Sequence, residues 1–318
     1  MITLPKDWAN SVGLNKNDTV GVQAQPDGTL VLCPKGSLPV EKRSTKVIDA
    51  TNIKNRELFK RQLVGAYIAG HTTIIVKSSQ PMTKDVTSVV AEFVQDAVGL
   101  EMIEADESHI LIVNLIEHDA IDTTKIVERM GSLVKNMFTD LSNAALTGDP
   151  SKIKDMAVRD TEIDRIYWLT FRQYNMSQRD TVGAHKTKPP NHKITTCLFV
   201  SRVLENLGDH AVYLSKFIAA FNEYSGHITI DKRLFVFDQR ATDLFAKVLK
   251  SWADMDIQLA NQAINESDEI SSDCVQAITR YGPNNEHNVL DGIVLLSVKK
   301  ISEMCKVIAE YTIDVSMD

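Results

Sequence analysis

From Asp122 to the end of the chain, apolar residues recur at steps of three and four, the repeat of an amphipathic helix. Helix-breaking stretches at Gly148-Asp149-Pro150, Lys186–Pro190, Gly226 and Gly282-Pro283 divide this span. The pattern predicts six long helices, over about 122–147, 150–178, 194–224, 231–263, 266–281 and 286–314. The cleanest seam lies on the third, where Val200, Val203, Leu207, Ala211, Leu214, Ile218 and Phe221 follow one another along one face. Six helices in two groups of three predict a duplicated three-helix bundle.

Before Asp122 the period changes. Val47–Ala50 and Thr72–Val76 are strand-like, Asn55–Ala69 is an amphipathic helix, and Met82–Val98 is a second helix opened by Thr83. Leu100–Ala105 and His109–Ile116 predict a hairpin around Asp106-Glu107-Ser108. This is the signature of a small α/β domain. Its glycines Gly65, Gly70 and Gly99 stand alone, so no glycine-rich phosphate loop follows a strand and nucleotide binding has little support. Further upstream, Pro5 opens a short helix that ends at Val12-Gly13-Leu14. Two alternating runs, Thr19–Gln23 and Thr29–Cys33, flank a Pro26-Asp27-Gly28 turn. A unit this short cannot bury a core alone, so it needs a partner chain or the rest of the protein.

The expected architecture is therefore mainly α with a smaller α/β part: a small β unit at 1–36, an α/β connecting domain at 37–118, and three-helix bundles at 119–226 and 227–318. Of the 318 residues, 43% are apolar and 24% charged, which excludes a disordered chain and supplies a core. Aromatics at 6% argue against base-stacking nucleic-acid modules. With no run of about 18 apolar residues and no signal-peptide core, the chain is expected to be cytoplasmic, with no direct membrane insertion. Cys33, Cys197, Cys274 and Cys305 form no CxxC pair and are expected to be reduced core thiols. The net charge of −7 is unevenly placed: Val236–Asp318 carries 14 acids against 7 bases, while Val40–Gln62 carries 7 bases against 3 acids. A polyanion would meet the chain at that basic segment, which also reads as a solvated helix and linker face.

Two pairs of acids carry the candidate chemistry. Asp160 and Asp164 are four apart on one predicted helix, and Glu205 and Asp209 are four apart on the next. That spacing puts each pair on one face, a turn apart, where like charges repel by about 0.2–0.5 kcal/mol unless a cation intervenes. Carboxylate clusters suit hard cations such as Mg²⁺, Ca²⁺, Mn²⁺ or iron. Helical phase sets both pairs off the apolar seams, which favours an ion at the bundle surface over a closed buried pair of metals. Ion pairing on a solvated face, with Arg202 serving Glu205 or Asp209, explains the same spacing. His210 falls on the flank rather than among the ligands.

These residues resemble a known family. Arg159-Asp160-Thr161-Glu162-Ile163-Asp164-Arg165-Ile166-Tyr167 is similar to the D-x-x-(I/V)-D signature of PhoU phosphate-uptake regulators. Arg202-Val203-Leu204-Glu205-Asn206-Leu207-Gly208-Asp209-His210-Ala211 resembles the family's R-x-x-E-x-x-x-D-H-A helix. The resemblance covers roughly 122–318 and implies two three-helix bundles, each able to hold a surface metal cluster. It also implies negative control of phosphate uptake and signalling by an adaptor of the phosphate ABC transporter, or of an associated signalling protein, not an enzyme. Asp160, Asp164, Glu205 and Asp209 are the implied ligands of a divalent or ferric ion (Fe, Mn, Mg, Zn or Ca). In the second bundle Ser267 and Ser271 stand in the first two ligand slots, with Lys299 and Glu303 in the other two. An ammonium is no ligand at neutral pH, so the metal site is expected in the first bundle alone.

The segment Ile2-Thr3-Leu4-Pro5-Lys6-Asp7-Trp8, with Val12-Gly13-Leu14 and Asn17-Asp18-Thr19-Val20, resembles the AbrB/SpoVT swapped-hairpin fold. That family forms interlocked homodimers that grip DNA, which implies a homodimer here, DNA as a partner, and Lys6 as a DNA contact. The strand that normally precedes this segment is expected to be missing, and residues 1–36 balance three lysines with three aspartates. A neutral unit is poorly equipped for phosphate contacts. The alternative function, a DNA-binding transcriptional regulator of phosphate genes, rests on this segment.

Overall fold

In the α/β region, helix starts are set by side-chain caps. The Asn55 side chain accepts from the Leu58 amide at 2.9 Å to begin α2 (Arg56–Ile68), and Thr83 accepts from Val86 to begin α3 (Lys84–Asp96). The computed structural model describes residues 3–24, 28–34, 44–116, 121–147, 149–179, 191–225, 234–280 and 286–317. The turn residues Pro26-Asp27, the bases Lys42 and Arg43, and the breaks at Gly148, Lys186–Pro190, Gly226 and Gly282-Pro283 lie outside these residues.

A short helix, α1 (Lys6–Ser11), precedes the antiparallel strands β1 (Val20–Ala24) and β2 (Leu30–Pro34). Gly28 adopts φ +82° as the chain enters β2, and Val22 and Leu30 stay exposed on the two strands. A second sheet has the order β3-β4-β6-β5, from β3 (Thr45–Asp49), β4 (Thr73–Lys77), β5 (Leu100–Ala105) and β6 (His109–Asn114). The β3–β4 pair is parallel, joined through α2, and the other pairs are antiparallel. Alternation sends Ile74, Val76, Ile110 and Ile112 to one face, where they meet Phe59 of α2 and Phe93 of α3.

Six helices follow: α4 (Thr123–Thr147), α5 (Met156–Arg179), α6 (Asn191–Ser225), α7 (Phe235–Asp254), α8 (Ile257–Arg280) and α9 (Glu286–Ser316). At 35 residues, α6 is roughly 50 Å long. One hydrophobic core runs through both trios. It is continued between them by an edge-on Phe138–Phe245 contact from α4 to α7 and a stacked Phe199–Tyr311 pair from α6 to α9. Among the described residues no helix is long and apolar enough to cross a membrane.

Three predicted helix boundaries are corrected, one of them the start of the fifth helix, expected at 266 and found at Ile257. A 3₁₀ turn, Pro150–Ile153, separates α4 from α5, so α5 starts at Met156 and not at Pro150. The predicted helix over 231–263 instead ends at Asp254, because Met255 takes the left-handed conformation at φ +51°. Its amide and that of Asp256 close the end, the latter bonding Ser251 O at 2.9 Å. Asp256 then caps α8 by accepting from the Leu259 amide at 3.0 Å.

Candidate metal centre

Helices α5 and α6 approach closely where α5 carries Asp160 and α6 carries Gly208. A Cβ on Gly208 would lie 2.8 Å from Asp160 Oδ1 and 2.9 Å from Ile163 Cδ1. The glycine therefore admits the carboxylate against the helix backbone, one residue before Asp209 and three after Glu205. Asp160, Asp164 and Glu205 are half-buried in this seam, while Asp209 lies at its exposed rim. Both pairs predicted from spacing thus face the α5–α6 boundary, near the surface as helical phase required.

Electrostatics record their proximity. Burial pushes the Asp160 carboxyl up to about 7, and repulsion from Asp164 and Asp209 adds to this, with Lys216 acting against it. Burial likewise raises Asp164 to about 6, helped by Glu205 and Asp209 and opposed by Lys60. Glu205 is raised by burial, with Arg202 opposing and Asp209 and Asp160 reinforcing. Asp160 Oδ1 and Glu205 Oε2 are buried acceptors with no hydrogen-bond partner. Such acceptors are costly unless a cation or water reaches them.

Nearby arginines are mostly engaged elsewhere. Arg159 reaches Asp140 at 2.5 Å and Arg165 reaches Glu162 at 2.6 Å. Arg202 pairs with Glu205 Oε1 at 3.0 Å and lies over the Tyr167 ring at 5.4 Å, so the pairing foreseen as the alternative to a metal is present. Among the described residues, no three Asp, Glu, His or Cys side chains converge as a ready-made ligand set. The two orphaned oxygens and the mutual repulsion of the acids fit a hard cation, with ligands that must turn toward it. His210 stands apart: it is buried, stacks on Tyr213, and is pushed down to about 4 by burial and by Lys300 of α9.

In the second trio the equivalent positions, Ser271 excepted, are internally satisfied. The Ser267 hydroxyl donates to the Ser302 carbonyl at 2.7 Å, Lys299 pairs with Glu303, and Lys306 pairs with Asp268 at 2.8 Å. Ser271, in the other serine slot, has a buried hydroxyl oxygen with no partner. Lys6 is exposed at the start of α1 beside Asp7, far in sequence from the acids.

Sequence reasoning missed the α/β layer's part in the site. Arg172 of α5 is buried, lies 4.9 Å over the Tyr67 ring, and donates to the carbonyls of Tyr67 and His71 at 2.6 and 3.0 Å. Asn175 donates to Ile68 O at 2.9 Å, and Trp168 packs on the α/β core. These contacts satisfy the carbonyl end of α2 and seat it on α5. Gly208 was missed too, and the signal that could have found it is a lone glycine inside a long predicted helix. Arg172, by contrast, lies more than a hundred residues from its partners and left no local signal.

Comparison with known proteins places these residues in a recognised domain. The PhoU domain model matches residues 127–218, and the model of MazE, the antidote-toxin recognition domain of a bacterial antitoxin, matches residues 1–39. A phosphate-specific transport system accessory protein PhoU homolog from Caulobacter vibrioides is 34% identical over 98 residues, 30% of this chain and 39% of that protein. Its namesake from Zymomonas mobilis is 23% identical over 148 residues, 45% of this chain and 59% of that protein. The chain thus spans about two fifths to three fifths of the relatives it matches. The crystal structure of PhoU from Pseudomonas aeruginosa superposes with a TM-score of 0.51 at 17% identity, over 61% of this chain and 95% of that one. This likeness confirms the helical fold. The acid pairs on α5 and α6 fall inside the span that matches the PhoU domain model, and the unit at the N-terminus matches the MazE model.

Proposed function

We propose that this protein regulates phosphate uptake and phosphate signalling by contact with the phosphate transporter or its signalling partner, and that the first helical trio holds a metal ion. Asp160, Asp164, Glu205 and Asp209 are the residues that would hold it, and oxygen donors of this kind suit Fe, Mn, Mg, Zn or Ca. When bound, the ion supplies charge neutralisation across the α5–α6 seam and no chemical step. The observation that carries this reading is the pair of orphaned buried carboxylate oxygens, Asp160 Oδ1 and Glu205 Oε2, within the PhoU-matched span. Relatives named as phosphate-transport accessory proteins support the pathway.

The test is radiolabelled phosphate uptake in phosphate-rich medium by cells that lack this protein. Uptake is expected to rise on deletion and to return to the parental rate with the wild-type chain. Complementation by Asp160→Ala/Asp209→Ala should fail. Uptake that is indifferent to deletion contradicts the regulatory reading.

A further inference from the structure

The contacts that cross the α5–α6 seam fall in antiparallel order. Asp160 lies against Gly208, and further along α5 the Tyr167 ring lies under Arg202, further back along α6. In sequence Asp164 and Glu205 sit between these two contacts, so Arg202 closes one end of the acid cluster. Its guanidinium is held in two ways. Nη1 donates to Glu205 Oε1 at 3.0 Å, and Cζ stands 5.4 Å from the centre of the Tyr167 ring. The two ends of the ion pair differ in freedom: the Arg202 side chain is 52% exposed and that of Glu205 12%. The arginine can therefore withdraw into water while the carboxylate stays. Its hold is also one-sided, since Glu205 Oε2 is buried with no hydrogen-bond partner.

We infer that Arg202 is the competing cation of this site: its guanidinium holds Glu205 until a metal ion arrives, and the ion must displace it to gain that carboxylate as a ligand. This rests on the metal-binding reading above. Loading of the seam and release of Arg202 are then one event. With the ion in place the guanidinium keeps the Tyr167 ring and water as its partners, so the α6 surface presents a different charge when the site is loaded. A half-exposed ion pair of this kind is weak and screened by solvent, so the penalty it sets on metal binding is modest.

Calorimetric titration of the full chain with Mn²⁺ alone, at fixed ionic strength, tests the idea. Arg202→Met removes the charge and should bind roughly two- to fivefold more tightly than wild type. Plain repulsion between Arg202 and an incoming ion would give a gain as well, so the same change is also made in Glu205→Gln, which neutralises the contested carboxylate and leaves the other three acids. That background should bind more weakly than wild type, and adding Arg202→Met to it should have little further effect. Circular dichroism confirms that each variant is folded. Equal affinity of wild type and Arg202→Met would overturn the inference and leave the metal site standing, as would an undiminished gain in the Glu205→Gln background. Absence of binding heat in every variant would overturn the metal site itself, and the competition with it.

Discussion

Gly208 shows how one missing side chain shapes the seam. Alanine there would add about 1 kcal/mol of helix propensity. Its methyl would also have to displace both the Asp160 carboxylate and the Ile163 side chain, and overpacking of this kind costs about 1–3 kcal/mol. Gly208→Ala is therefore expected to lower the melting temperature and to reduce bound metal. A more stable variant with unchanged metal content would contradict this role. Asp160 was legible from its spacing to Asp164, because two like charges a turn apart need a reason to be there. Its buried, unpaired oxygen was not, since that depends on the glycine across the seam.

Elements built from short-range signals were the readable ones. The strands and helices of the α/β layer were legible where caps and alternation agree, as at Asn55, Thr83 and Ile74–Val76. The end of α7 was not, because a methionine, with no glycine or proline beside it, takes the left-handed turn. The seat of α2 on α5 was hidden for another reason: Arg172 and Tyr67 are joined only by tertiary packing. The hairpin of β1 and β2 keeps Val22 61% and Leu30 51% exposed, and an isolated two-stranded sheet is marginal in water. These strands are expected to find their core against a second copy. Light scattering at micromolar concentration should give a dimer for the full chain and a monomer once residues 1–43 are removed. A monomeric full chain would contradict this.

Taken whole, the molecule places two related helical trios on one core and uses them differently. In the second, each polar group at the ligand slots but the Ser271 hydroxyl has a partner within the chain, through Ser267–Ser302 and Lys299–Glu303. In the first, two buried carboxylate oxygens lack one and the arginines at Arg159 and Arg165 are turned to other acids. The α/β layer is bolted to that first trio by Arg172 and Asn175. The proposed cation belongs at the α5–α6 seam, beside those unpaired acceptors. Elemental analysis of the purified chain, wild type against Asp160→Ala/Asp209→Ala, measures this most directly. Bound metal in the wild type that is lost from the double variant is the predicted result, and equal metal content in the two would contradict it.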